Sequence, residues 1–133
     1  MTEDEILQKN LDLAIGLPDG WRALYQKLIH ELAKVDGTAT VVQTKEKFGE
    51  MRVYLKAYSE PAFALTDSAT ASSRTLCQQC GEPAVLSRSA DGFYATVCSQ
   101  HSEGFEPANF SPMRHVRVLI PKPDDDVEDN ASW

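Results

Sequence analysis

Cysteine is scarce in this chain, three in 133 residues, and no apolar run is long enough to cross a membrane. Three thiols cannot all pair with one another, so a self-contained disulfide framework would leave one over. A spanning helix needs roughly eighteen consecutive apolar residues, and no window comes near that. Thr2, Glu3, Asp4 and Glu5 follow Met1 at once, where a signal peptide would carry an apolar segment, so a reducing, cytoplasmic location is expected. Glycine-rich phosphate loops, His-Glu-x-x-His and the nucleophile elbow are all missing. Histidine is limited to His30, His101 and His115. No spacing links serine, histidine and acid into a catalytic constellation, and an enzyme is not expected.

What is present starts with the cysteines themselves. Cys77 and Cys80, then Cys98 and His101, form Cys-x-x-Cys and Cys-x-x-His pairs seventeen residues apart. A two-residue gap lets both side chains of a pair reach one ion, and closed zinc sites use four such sulfur and nitrogen ligands. A lone Cys-x-x-Cys would raise a redox pair or iron–sulfur ligation, but Cys98 and His101 complete a four-ligand shell. With no position left for water, the expected cofactor is a structural rather than a catalytic Zn2+. Gly81 suits the tight turn of a zinc knuckle. Two strands over 85–88 and 93–97, joined at Asp91-Gly92, and a helical turn over 99–104 would complete a treble-clef-like or ribbon-like module at about 75–103.

Elsewhere the periodicity separates helices from strands. A short helix is expected over 4–14. A stronger one, capped by Asp19, should bury Trp21, Leu24, Leu28, Leu32 and Val35 on one face, with His30 on the polar side. Period-two patterns predict strands over 39–44 and 51–58, with 45–50 as their connection. In that connection Gly49 would take a special backbone angle and Phe48 would plug the core. A helix over 60–74 follows, and a closing strand is expected over 114–120. The fold class is therefore α+β. A small antiparallel sheet is covered by helices, the metal module is inserted before the last strand, and 1–120 form one domain.

Charge is uneven. Four acids stand against one lysine in residues 1–12, and five against one in residues 121–133, while 13–120 holds eleven of each sign. The formal net charge of −7 thus sits at the two ends. Pro121 and Pro123 stop the preceding strand, and the acidic run that follows has no apolar period, so a disordered tail is expected over 121–133. Asp124, Asp125 and Asp126 with Trp133 are its candidate contacts. In the body, Lys45, Lys47, Arg52, Tyr54, Lys56 and Tyr58 make a cationic and aromatic stripe that could hold phosphates and stack bases. The bland alternative is a solvated strand face whose cations pair with Glu46, Glu50 or Glu60.

The run from Val42 to Tyr54, which contains Lys45-Glu46-Lys47-Phe48-Gly49 and then Arg52 and Tyr54, resembles a signature of small bacterial and phage proteins of unknown function. In that family it follows a Gly-Trp helix, here Gly20-Trp21. It precedes Cys-x-x-Cys-Gly and Cys-x-x-His, here Cys77 to Gly81 and Cys98 to His101. The resemblance spans roughly residues 19–102, departs from the pattern at Thr44 and does not reach 105–133. It implies a fold and a phage or mobile-element setting, and no reaction. Together these features lead to the expectation of an inhibitor or immunity-type factor that binds a protein with a basic surface. The alternative is a nucleic-acid-associated zinc module that uses the stripe. No membrane partner is expected.

Overall fold

Helix α1 (Glu3–Asp12) begins at a capping box: Thr2 Oγ1 accepts from the Glu5 amide at 3.1 Å, and Glu5 Oε1 accepts from the Thr2 amide at 2.7 Å. Glu3, Asp4 and Glu5 also complement the positive end of the helix dipole. The computed structural model describes residues 1–57 and 59–108 of the chain. Tyr58, the strand expected over 114–120, and the tail with Asp124, Asp125, Asp126 and Trp133 lie outside the described residues. After α1 the chain tightens into a 3-10 turn at Leu13–Gly16, so the first helix ends before residue 14.

Asp19 does not cap the next helix. A second 3-10 turn, Asp19–Trp21, leads into α2 (Arg22–Val35), and the Asp19 carboxylate instead pairs with Arg22 at 3.2 Å. The buried face of α2 is Tyr25, Leu28, Ile29 and Leu32, following Trp21; Leu24 is only partly covered and Val35 is 52% exposed. The stripe is rotated from its expected position because Tyr25 has a polar contact inside. Its hydroxyl donates to the Asn10 carbonyl at 2.6 Å, and burial pushes its phenol far above the usual range. Asn10 is buried too. Its side chain donates to the Ala39 carbonyl and accepts from the Val41 amide, both at 2.9 Å, and so joins α1, α2 and the start of β1. His30 is exposed, as expected.

Strands β1 (Val41–Lys47) and β2 (Glu50–Leu55) form an antiparallel hairpin, with Lys47 opposite Glu50 and Lys45 opposite Arg52. The segment expected to be a connection is therefore mostly strand, and the turn is only Phe48-Gly49. Both turn residues have positive φ, 53° and 80°, as a two-residue hairpin of the I′ type requires. Gly49 behaves as expected. Phe48 does not plug the core, because the tip of a hairpin points away from it; the side chain is 42% exposed.

Helix α3 (Glu60–Ser73) packs on α2 and on the free edge of β2. Its run of alanine, serine and threonine has a purpose there. Thr70 Oγ1 donates to the Met51 carbonyl at 2.7 Å, and Ser73 Oγ accepts from the Met51 amide at 2.9 Å. Two hydroxyls thus satisfy a strand edge that would otherwise be left unpaired inside the protein. The remaining strands, β3 (Val85–Ser89), β4 (Tyr94–Val97) and β5 (Phe105–Pro107), make a second antiparallel sheet in the order β4-β3-β5. The fold is α+β with small antiparallel sheets, as expected, but the strands are divided between two sheets. The three-residue β5 was not anticipated.

Candidate metal centre

Cys77 and Cys80 sit in a tight loop in which the Gly81 amide donates back to the Cys77 carbonyl at 2.8 Å, with Gly81 at φ 81°. The Gln79 amide points at Cys77 Sγ, 3.4 Å away. Strand β4 delivers Cys98, and a single 3-10 turn, Ser99–His101, brings His101 round. The order is knuckle, hairpin, helical turn. All four ligand atoms lie within 4.8 Å of one another. Cys80 Sγ is 3.7 Å from Cys98 Sγ, and His101 Nδ1 lies 3.5 Å from Cys77 Sγ and 3.2 Å from Cys98 Sγ. A tetrahedral ion with metal–sulfur bonds of about 2.3 Å and metal–nitrogen bonds of about 2.0 Å needs sulfurs about 3.8 Å apart and sulfur–nitrogen gaps of about 3.5 Å. The four side chains fit one metal ion.

The thiols are tuned unequally. Burial pushes Cys77 up, but the amides of Cys98, Gln79 and Cys80 and the Cys80 side chain outweigh it and bring the thiol down to about 6. Cys80 is exposed; the Glu82 amide favours its thiolate, yet burial, contact with Cys98 and Cys77, and the Cys77 charge raise it overall. Cys77, fully buried, is thus held toward its thiolate by backbone amides, and Cys80 on balance is not.

Gly20 and Trp21 explain how this module is placed. The Gly20 amide donates to the Gln78 carbonyl at 2.9 Å, and Trp21 Nε1 donates to the Leu76 carbonyl at 2.9 Å. A Cβ on Gly20 would stand 2.0 Å from the Cys77 carbonyl oxygen. Only glycine allows the helix entry to come that close. A second joint lies at the hairpin tip. Thr96 of β4, fully buried, donates its hydroxyl to the Gly49 carbonyl at 2.6 Å and exchanges two 3.0 Å bonds with Gln78. A Cβ on Gly49 would meet Leu86 at 2.6 Å. Neither Gln78 nor Thr96 was singled out from sequence, since nothing in their spacing marks a partner so distant in the chain.

The cationic stripe is divided by its own acid. Register puts Lys45, Lys47, Arg52 and Tyr54 on one face with Glu50, which is 1% exposed. Glu50 accepts from Arg52 Nε at 2.6 Å and from Arg74 Nη1 at 2.7 Å. Arg52 is 13% exposed and held inward, and its buried Nη2 has no hydrogen-bond partner among the described residues. Lys45, Lys47 and Lys56 make no ion pair among the described residues. Three shallow clefts lie by Arg52 and Asp67, by Arg88 and Glu106, and by Lys27 and Glu31; none of the three is lined by histidine or cysteine.

No helix among the described residues is long and apolar enough to cross a membrane. Comparison with protein-family models, with curated proteins and with solved structures finds no match.

Proposed function

We propose that this protein is a zinc-stabilised, non-catalytic binding factor that works in the cytoplasm by engaging another protein. The observation that carries the reading is the ligand set itself. Three cysteines and a histidine lie close enough to share one ion, and as ligands to a tetrahedral zinc they would fill all four positions and leave none for water or substrate. Zinc accepts such mixed sulfur and nitrogen ligation without redox chemistry. It would then hold a surface in shape.

The acidic ends favour a partner with a basic surface, since opposite fields speed encounter. Glu3, Asp4 and Glu5 are exposed on α1, and the sequence continues the theme at 124–129. An inhibitor or immunity-type factor is the form this takes in the phage setting that the resemblance implies. The nucleic-acid alternative loses Arg52 from its stripe, because Glu50 holds that guanidinium.

Tagged protein captured from host lysate, with and without nuclease, tests the reading, together with metal analysis. One zinc per chain and a stoichiometric protein that survives nuclease are expected. Deleting all of 1–12 would strip α1 from the core, so the steering test is Glu3→Gln with Asp4→Asn plus removal of 121–133. Affinity and salt dependence left unchanged by those edits would defeat the steering idea.

A further inference from the structure

Phe48 is out of place as a folding residue. It occupies the first position of a two-residue hairpin turn, at φ 53°, where asparagine, aspartate or glycine is favoured and a bulky side chain is strained. Strain of this kind persists where the surroundings or a function require it. The ring is not buried in exchange. It stands 42% exposed at the tip, and it belongs to a line of two rings with a cation at each end. Lys47 Nζ lies 6.0 Å from the Phe48 centroid, and the Phe48 and Tyr94 rings meet edge-to-face at 6.3 Å. Arg88 Cζ lies 6.0 Å from the Tyr94 centroid. Lys45 extends the line, two residues before Lys47 on the same face.

We infer that the hairpin tip and the facing strands β3 and β4 form a platform for single-stranded nucleic acid, on which Phe48 and Tyr94 receive bases and Lys45, Lys47 and Arg88 hold phosphates. Stacking on an aromatic beside a cation is tolerant of base identity and fits a single strand, whose bases are free. Charge supports the choice over a protein. Lys45, Lys47 and Arg88 make no ion pair among the described residues. The nearest acids are engaged: Glu46 Oε2 accepts from the Gly49 amide at 2.7 Å, and Glu50 is shared by two arginines. Glu106, opposite Arg88 in the sheet, and Asp91, in the turn beside the Arg88 guanidinium, are exceptions. The surplus acid of the chain lies mainly at its ends. This platform is independent of the protein partner proposed above, and its failure would leave that reading standing.

The test uses the full-length, metal-loaded protein with fluorescent oligothymidine and oligouridine about twelve nucleotides long, and a duplex of equal length as control. Saturable anisotropy that weakens with salt is expected for the single strands, with weaker binding of the duplex. Phe48→Asn is the decisive variant. It should melt at a higher temperature than the parent, because asparagine suits the turn, yet bind about tenfold more weakly. Lys47→Gln and Arg88→Gln should each reduce the slope of log affinity against log salt by about 0.7. Absence of saturable binding at low salt overturns the platform, as does a Phe48→Asn protein that binds like the parent. If Phe48→Asn melts lower, the two charge variants decide, since each removes one cation–ring contact and leaves both rings in place; unchanged slopes in both overturn the proposal. A protein captured through Phe48 without any oligonucleotide binding assigns the tip to that protein instead and overturns it too.

Discussion

Around α2, eleven buried apolar residues between Ala14 and Ala69 form one cluster, whereas the buried apolar residues of 77–108 are Cys77, Ala95, Val97 and Cys98. The first region has the makings of a hydrophobic core. The second is a segment of about thirty residues, below the size at which chains usually fold without a metal or disulfide. On the reading proposed above, its stability comes from an ion held by the Cys/His cluster and from its seat on the body. That seat is polar and tight. Gly20, Trp21 and Gly49 present backbone or ring atoms to it, and Thr96 and Gln78 answer with hydrogen bonds. The body should survive without the module more easily than the module without its metal.

The largest expected effect is therefore Cys80→Ser. Cys80 is exposed, so the change removes a ligand and almost no packing. Zinc binding in small finger peptides contributes about 10–16 kcal/mol to folding, so losing the ion should unfold the module. Hydrogen exchange should show protection lost over 75–108 and kept in α1 to α3, with most helical circular dichroism retained. A variant that keeps both metal and protection would mean that these ligands hold nothing; loss of every protected amide would mean that the body leans on the module.

Leu28→Ala tests the opposite direction. Leu28 is 2% exposed at the centre of the core, and such truncations cost about 2–5 kcal/mol. Here denaturant unfolding should shift for the whole protein, with the metal released at the same midpoint as the helices. Separate midpoints would show the module standing alone.

Glu50→Gln probes the boundary between the regions. The side chain of Glu50 is 1% exposed and bonded to Arg52 and Arg74, and the variant leaves two guanidinium groups against a neutral amide. Breaking a buried pair typically costs about 3–5 kcal/mol, and the 35% exposure of Arg74 places this case near the lower end. An unchanged melting curve would indicate that both arginines find water instead.

What could be read from the sequence follows the same division. The cluster of Cys77, Cys80, Cys98 and His101 was legible because ligation of one ion imposes a paired spacing that stands out in the sequence. The β3–β4 hairpin was legible from Asp91-Gly92, and α2 from its three- and four-residue steps, although the buried tyrosine Tyr25 turned its inner face from the expected one. The β1 strand was read short because Lys45-Glu46-Lys47 has no apolar alternation, pairing through its backbone while its side chains stay partly in water. The turn at Phe48 was missed because phenylalanine gives no turn signal. Arg52 could be read either as a stripe cation or as paired with Glu46, Glu50 or Glu60, and Glu50, two residues earlier on the strand and so on the same face, is the partner it takes. The contacts that seat the module join residues such as Gly49 and Thr96, 47 positions apart, and local pattern cannot reveal them.

The smallest effect separates the two regions most finely. Thr96→Val keeps the size of the side chain and removes the 2.6 Å bond to the Gly49 carbonyl, leaving that acceptor buried without its donor. A lost partner of this kind costs about 1–3 kcal/mol. The loss should be felt only while the module is folded, because Thr96 reaches Gly49 from β4. Measured with metal bound, Thr96→Val should lower stability toward denaturant. Measured after a strong chelator has removed the ion, parent and variant should unfold at the same midpoint. If the difference persists without metal, β4 stays docked on the hairpin tip by itself, and the division between a self-sufficient body and a metal-dependent module fails at that joint.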